Sequence, residues 1–311
     1  MKKYLFIAVL VLLKSVSVFS QTEAQIGHYF LNTSSYNPAA LASDGMISVR
    51  ANHRQQWIGF ENRPQTTYVG IEAPIKQHGV GLLFENDKYG LFSSQSFYAQ
   101  YSYKFKVGPG YLSGGVKLGF LNQTFYGKKV NLDSIQSDYH SSSDPLVPKT
   151  DVNGIVFDAG VGVFYKDDKR YAGFSITHVT APNVDLGDYA SFKFRLNYLF
   201  LFEHNISLNN PLYVLKPSFL AKTDFNSFQV DLNMNLEYNK KFWGGLGYRL
   251  LDAVIFSVGM NLNIGLSVAY SYELPTTKII RGTSGSHEFT VAYGFKIDMK
   301  KKSSYKSVRI L

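Results

Sequence analysis

From Phe228 to Tyr238 the chain changes character at every step. Phe228, Val230, Leu232, Met234, Leu236 and Tyr238 are apolar, and Gln229, Asp231, Asn233, Asn235 and Glu237 between them are polar. Successive strand residues face opposite sides of a sheet, and an amphipathic helix does not keep period two over such a length. This stretch is therefore a strand with one apolar and one polar face. The same split sets Phe289, Val291, Tyr293, Phe295 and Ile297 against Glu288, Thr290, Ala292, Gly294 and Lys296. It sets Ile264, Leu266, Val268, Tyr270 and Tyr272 against Gly265, Ser267, Ala269 and Ser271.

Comparable runs fall at 46–53, 66–74, 78–86, 94–107, 110–121, 153–165, 170–177, 192–205, 212–222, 226–239, 241–250, 253–262, 263–273 and 287–297, which makes fourteen strands. Their usual length of about 9–11 residues suits a tilted strand crossing a bilayer. After the first twenty residues no apolar run approaches the roughly 18 that a spanning helix needs. Alternation alone fits a sandwich as well as a barrel. Connection lengths separate them: Arg54 to Gln65, Asn122 to Val152, His178 to Ser191 and Leu274 to Ser286 are long, whereas Ile75 to Gln77, Gly108-Pro109 and Lys166 to Lys169 are short. Long external loops alternating with tight periplasmic turns are the pattern of outer-membrane barrels, although the outward gaps near Phe225 and Asp252 are short. The expected fold is all-β, a closed antiparallel transmembrane β-barrel of about 14 strands, placed in the bacterial outer membrane among its lipids.

The flanks read differently. Met1-Lys2-Lys3, the apolar Tyr4 to Leu13 and the small residues before Gln21 form a secretory signal peptide over 1–20. Residues 21–45 are polar and turn-rich, an extended N-terminal segment ahead of the barrel at 46–297. A basic tail, 298–311, carries Lys300, Lys301, Lys302, Lys306 and Arg309, a solvated end or a docking site for a periplasmic partner. The formal charge is +9, of which Lys2, Lys3 and Lys14 belong to the leader. In an exported chain this basic balance does not point to nucleic acid. With no cysteine the chain makes no disulfide and offers no thiol chemistry.

Nothing in the spacing nominates an enzyme or a cofactor. The seven histidines are scattered without a metal-ligand spacing, and no G-x-S-x-G elbow occurs. Glu72, Glu85, Asp158, Asp231 and Glu237, with Lys104, Lys117, Lys193 and Arg195, fall on expected inner faces. There they either pair and close the lumen or line a watery pore. Gly114-Gly115 and Gly244-Gly245 precede no helix, so they relieve crowding or allow curvature rather than cradle phosphate.

The remaining distinctive stretch is Asn37 to Phe60. It opens on an Asn37-Pro38 turn and ends in Arg54-Gln55-Gln56-Trp57-Ile58-Gly59-Phe60. By physics alone such a cluster suits a membrane-interface anchor, a lumen plug or a partner-docking knob. Gln25 to Asn32, Tyr36-Asn37-Pro38-Ala39, Arg54-x-Gln56-Trp57-x-Gly59-Phe60 and Pro64-Gln65-Thr66 resemble the N-terminal signature of the PorP/SprF family of type IX secretion system membrane proteins. Gly79-Val80-Gly81-Leu82, Asn86 to Gly90 and Tyr98-x-x-Tyr101-x-Tyr103 extend the likeness over the first third. The segment near His28 and the Leu41-Ala42-Ser43 turn depart from the commonest family forms, which bears on cargo identity.

The resemblance implies an outer-membrane barrel of Bacteroidetes-type bacteria. Its implied partners are the type IX translocon or the C-terminal domain of a cargo, with export or surface attachment of proteins such as gliding adhesins as the role. It brings no catalytic residues. Asn37, Pro38, Arg54, Gln56, Trp57, Gly59 and Phe60 match its signature by position, without an assigned role. Strand order places Asn37-Pro38 on the periplasmic side, guiding the chain into the barrel, and Arg54 to Phe60 at the outer end of the first strand, packing a loop or meeting a partner. The alternative from the charged inner faces is a passive channel for small solutes.

Overall fold

The computed structural model describes residues 24–130, 148–187 and 190–296. The expected signal peptide and basic tail lie outside them. Fourteen strands close the barrel: β1 (Ile47–Gln55), β2 (Gln65–Ile75), β3 (His78–Tyr89), β4 (Phe92–Val107), β5 (Gly110–Phe125), β6 (Val152–Lys166), β7 (Arg170–Thr177), β8 (Asn197–His204), β9 (Tyr213–Thr223), β10 (Phe228–Tyr238), β11 (Phe242–Arg249), β12 (Ala253–Asn261), β13 (Leu266–Pro275) and β14 (Ser286–Phe295). A two-residue piece, Ile206–Ser207, continues the line of β8 against β9. Each strand pairs antiparallel with its sequence neighbours, and β14 closes on β1 from Ile47↔Phe295 to Gln55↔His287. Closure leaves no continuous free edge around the wall.

The barrel is apolar without and gathers its buried charges within. Phe84, Phe97, Phe120 and Phe157 lie side by side across β3 to β6 and are 40 to 60% exposed. Asp158, Asp231, Glu273 and Glu288 on the opposite parity are buried. This distribution, reversed from that of a soluble domain, is that of a membrane barrel. The long connections gather at one end and the tight turns, with both ends of the barrel chain, at the other. Four of the five expected inner carboxylates are paired, Glu72 with Arg50 at 2.5 Å, Asp158 with His178 at 2.8 Å, Asp231 with Arg249 at 2.9 Å and Glu237 with Lys216 at 2.7 Å, and the fifth, Glu85, accepts from Tyr68 Oη at 3.2 Å.

Two expectations fail. The run read as a strand over 192–205 divides in two. Ala190–Lys193 pairs with Asn183–Leu186 as a hairpin in the loop after β7, and only Asn197 onward joins the barrel. Exposed Lys193 and Arg195 therefore do not line its inner wall. The hairpin turns inward because Val184, Leu186 and Phe194 bury against Leu121 and the ends of β5 and β6.

The second failure concerns the N-terminal segment. Residues 24–44 are not an extended lead-in but a plug folded inside the lumen. Ala24 and Gln25 sit near the loop end, where their carbonyls accept from Lys222 and Arg54, both at 3.2 Å. The chain then descends through a turn at His28 to Asn32, one helical turn α1 (Thr33–Tyr36) and a 3-10 turn at Pro38–Ala40. It reaches Asp44 at the turn end, beside Lys166. Ile26, Tyr29, Tyr36, Ala39 and Ala40 form one core with wall residues Tyr68, Leu83, Tyr98, Phe164, Tyr171, Leu199, Leu201 and Leu220. Apolar burial drives this docking, because inward leucines of β3, β8 and β9 have no water-filled lumen to face.

Candidate functional site

The plug is seated by three devices. The first is space. Gly79, Gly81, Gly115, Gly162 and Gly173 all face inward under residues 37–41, and a Cβ on any of them would overlap the plug: Leu41 at Gly79 and Gly81, Ala39 and Pro38 at Gly115, and Asn37 at Gly162 and Gly173. Gly115 thus serves close approach of two backbones, the crowding role expected of the Gly114-Gly115 pair.

The second device is Asn37. It was expected ahead of the barrel on the periplasmic side, yet it is fully buried between β6 and β7. Its Oδ1 accepts from Ala39 N–H at 2.9 Å, capping a 3-10 turn whose first residue is Pro38. Its Nδ2 donates to the carbonyls of Val163 at 2.9 Å and Phe174 at 3.2 Å, tying the plug to two neighbouring strands. Nearby, Ser175 donates to Tyr36 O, and Gln100 to Ser34 O. Asp44 closes the turn end: burial pushes its carboxyl up, but Lys166 and Arg50 outweigh that and hold it below the usual carboxylate range.

The third device is a buried ionic chain in the loop half of the lumen. Arg249 Nε donates to Asp231 at 2.9 Å and its Nη1 to Glu273 at 2.7 Å, while Arg54 grips the same Glu273 carboxylate from the other side. Glu288 lies 3.8 Å from Arg54 Nε. The five side chains are at most 2% exposed. Three buried carboxylates thus face two guanidinium groups, and the part-exposed Asp252 adds a fourth 3.6 Å from Arg249 Nη1. The plug supplies the missing donors: Glu288 accepts from Gly27 N–H at 2.6 Å, His28 N–H at 2.9 Å and, from the wall, Asn52 at 2.7 Å. At the far end of the chain Gln229 joins Asp231 at 3.0 Å to plug residue Gln25 at 2.7 Å. Plug and wall thus share one charge network.

Arg54 therefore separates from the rest of its sequence cluster. It is the only one of those expected residues whose side chain joins the lumen network; Gln56, Trp57, Gly59 and Phe60 lie in the loop between β1 and β2. That loop lies against the loop before β14: Trp57 N–H donates to Ser286 Oγ at 3.1 Å, Ile58 N–H to Gly285 O at 2.8 Å and Ser284 N–H to Ile58 O at 2.9 Å. Gly59 approaches the Gly282 carbonyl, and exposed Phe60 covers Gly282. Gln56 N–H closes the loop on Pro64 O at 2.9 Å. The cluster thus fastens the first loop to the last across the barrel's closing seam. Sequence reading missed Arg249, Glu273, Glu288 and Asn52, though the inward parity of the first three was visible.

Residues 18–293 match the family described as type IX secretion system membrane protein PorP/SprF. The chain belongs to that family. As a PorP/SprF protein it is an outer-membrane component of type IX secretion. No curated protein matches it. Among solved structures, the Pseudomonas putida toluene transporter TodX is similar with a TM-score of 0.48 at 11% identity, over 84% of this chain and 92% of that one. The KdgM porin gives 0.35 at 10%, over 80% and 99%. The β-domain of the Bordetella autotransporter BrkA gives 0.35 at 13%, over 82% and 100%. All three likenesses are distant.

Proposed function

We propose that this PorP/SprF protein is a non-enzymatic platform of the type IX system that supports export or surface attachment of a cargo protein, such as a gliding adhesin, through its extracellular face. The observation that carries this reading is the filled lumen. A barrel whose interior is occupied by its own residues 24–44, sealed by paired charges, offers partners its rim and loops rather than a path for solutes. The rival reading, a passive channel, requires the plug to leave a seat built from five glycines and an ionic chain.

Deleting the gene and comparing the surface proteome with that of the parent strain tests the proposal. Loss of one large surface protein, restored by complementation, is the expected result; an unchanged surface sinks it. Trp57→Ala refines the test. The seam is held by backbone groups around Ile58, and Trp57 is only half-buried. The variant should therefore keep the compact, heat-modifiable barrel in detergent gels and lose cargo display several-fold. A barrel that no longer folds would instead assign Trp57 to packing.

A further inference from the structure

The wall of β4, β5 and β6 is taller than the rest, with strands of 16, 16 and 15 residues against 8 and 9 for β11 and β12. Its loop-end portion rises above the row of exposed phenylalanines. There Gln95, Asn122 and Ile155 stand in register, a row that is polar on β4 and β5 and apolar on β6.

On β6 the even-numbered residues direct their backbone groups at β5 and the odd-numbered ones away from it. The tight Val107↔Gly110 hairpin sets that phase, and Val179 N–H donating to Ala159 O at 2.9 Å and Thr180 Oγ1 to Phe157 O at 3.3 Å agree with it. The outer side of β6 is covered by β7 only from Val161 to Lys166. β7 stops at Thr177 because His178 and Ala181 take left-handed conformations, φ 53° and 44°. These turn the chain into the lumen, where Val184 and Leu186 bury. Asp158 clamps the turn, bonded to His178 at 2.8 Å and Thr180 at 3.2 Å. Among the described residues nothing pairs with the sideways N–H and C=O groups of Asn153 and Ile155, and Ile155 is 66% exposed.

Exposed strand edges are normally blunted by charge, Pro or a covering element. Val152 to Phe157, Val-Asn-Gly-Ile-Val-Phe, has no charge and no Pro. We propose that this open edge at the loop end of β6 takes up an extended segment of the exported protein as an added strand. Donors and acceptors repeating at two-residue spacing match an extended polypeptide, and main-chain bonds bind such a strand with little demand on its sequence. The proposal rests on the secretion role above and adds where the cargo is held.

Ile155→Pro tests it, because the lost N–H faces the open side and the β5 ladder keeps all its bonds. In cells, the surface protein lost on gene deletion should fall at least tenfold in display, with barrel abundance and heat-modifiability unchanged. A photo-crosslinking residue at Ile155, but not one at Gln95 on the fully paired β4, should capture that same protein. Normal display in the Ile155→Pro strain overturns the proposal, as does an Ile155 adduct only to the chain itself or only to lipid. Should Ile155→Pro fail to fold, the crosslink decides alone. A deletion strain with an unchanged surface removes the secretion role, and absence of any Ile155 adduct then removes the edge as well.

Discussion

Gly115→Val is expected to show frequent, large openings in planar bilayers, where the parent barrel is expected to carry almost no current. The added side chain meets Ala39 N and the Pro38 carbonyl carbon, both backbone atoms of the plug that cannot rotate away. Overpacking of this kind costs about 1–3 kcal/mol or more, and here the strain falls on plug docking rather than on the wall. The wall itself prefers the change, since Val suits a strand better than Gly. The same substitution one residue earlier is the control: Gly114 faces outward with nothing within 4 Å of an added Cβ, and Gly114→Val should stay as silent as the parent. If Gly115→Val is equally silent, with the protein inserted, the glycines do not seat the plug. A parent protein that conducts steadily would restore the solute-channel reading.

The barrel could be read from the chain because its physics is periodic. A wall one residue thick, lipid outside and lumen inside, stamps period two on every strand, and from Phe228 to Tyr238 the stamp is complete. The plug carries no such period. Its residues 24–44 change partner with each turn, from Glu288 at Gly27 to Val163 at Asn37, so alternation has no hold on it. Indirect marks of it were nonetheless present. In β8, Leu199 and Leu201 are apolar on the inner parity while Phe200 and Phe202 are apolar on the outer, which makes no sense for a watery lumen. Gly79, Gly81, Gly115, Gly162 and Gly173 all fall on the inner parity, where small residues mean something passes close by. The fate of Arg54 was hidden for another reason: its neighbours Gln56 and Trp57 leave the strand, and only three-dimensional closure of β14 on β1 brings Glu273 and Glu288 to it. The hairpin after β7 was merged with β8 because Phe192 and Phe194 continue the apolar alternation while packing on a loop core instead of lipid.

Arg249→Met should destabilise the folded barrel by about 3–5 kcal/mol, the usual cost of leaving a buried charge without its partner, read as a marked fall in the temperature at which the compact species is lost in detergent gels. Arg249 is fully buried and bonded to both Asp231 and Glu273. Removing it leaves the three buried carboxylates with Arg54 alone and takes the cation from Asp252, 3.6 Å away, so the local negative excess rises by one. Adding Asp231→Asn returns the excess to that of the parent, so the double variant should recover a substantial part of the loss, although the new amide regains no cation. A double variant weaker than the single would show that hydrogen-bond geometry outweighs charge balance in this cluster. The plug enters the same arithmetic. Since Gly27 and His28 supply N–H donors to Glu288, any variant that unseats the plug also strips a buried carboxylate of its donors. Arg249→Met acts on the plug's upper end through the ionic chain and Gly115→Val on its lower end by direct contact, so together they should lower stability by less than the sum of their separate effects. Strict additivity would mean that plug and ionic chain act independently.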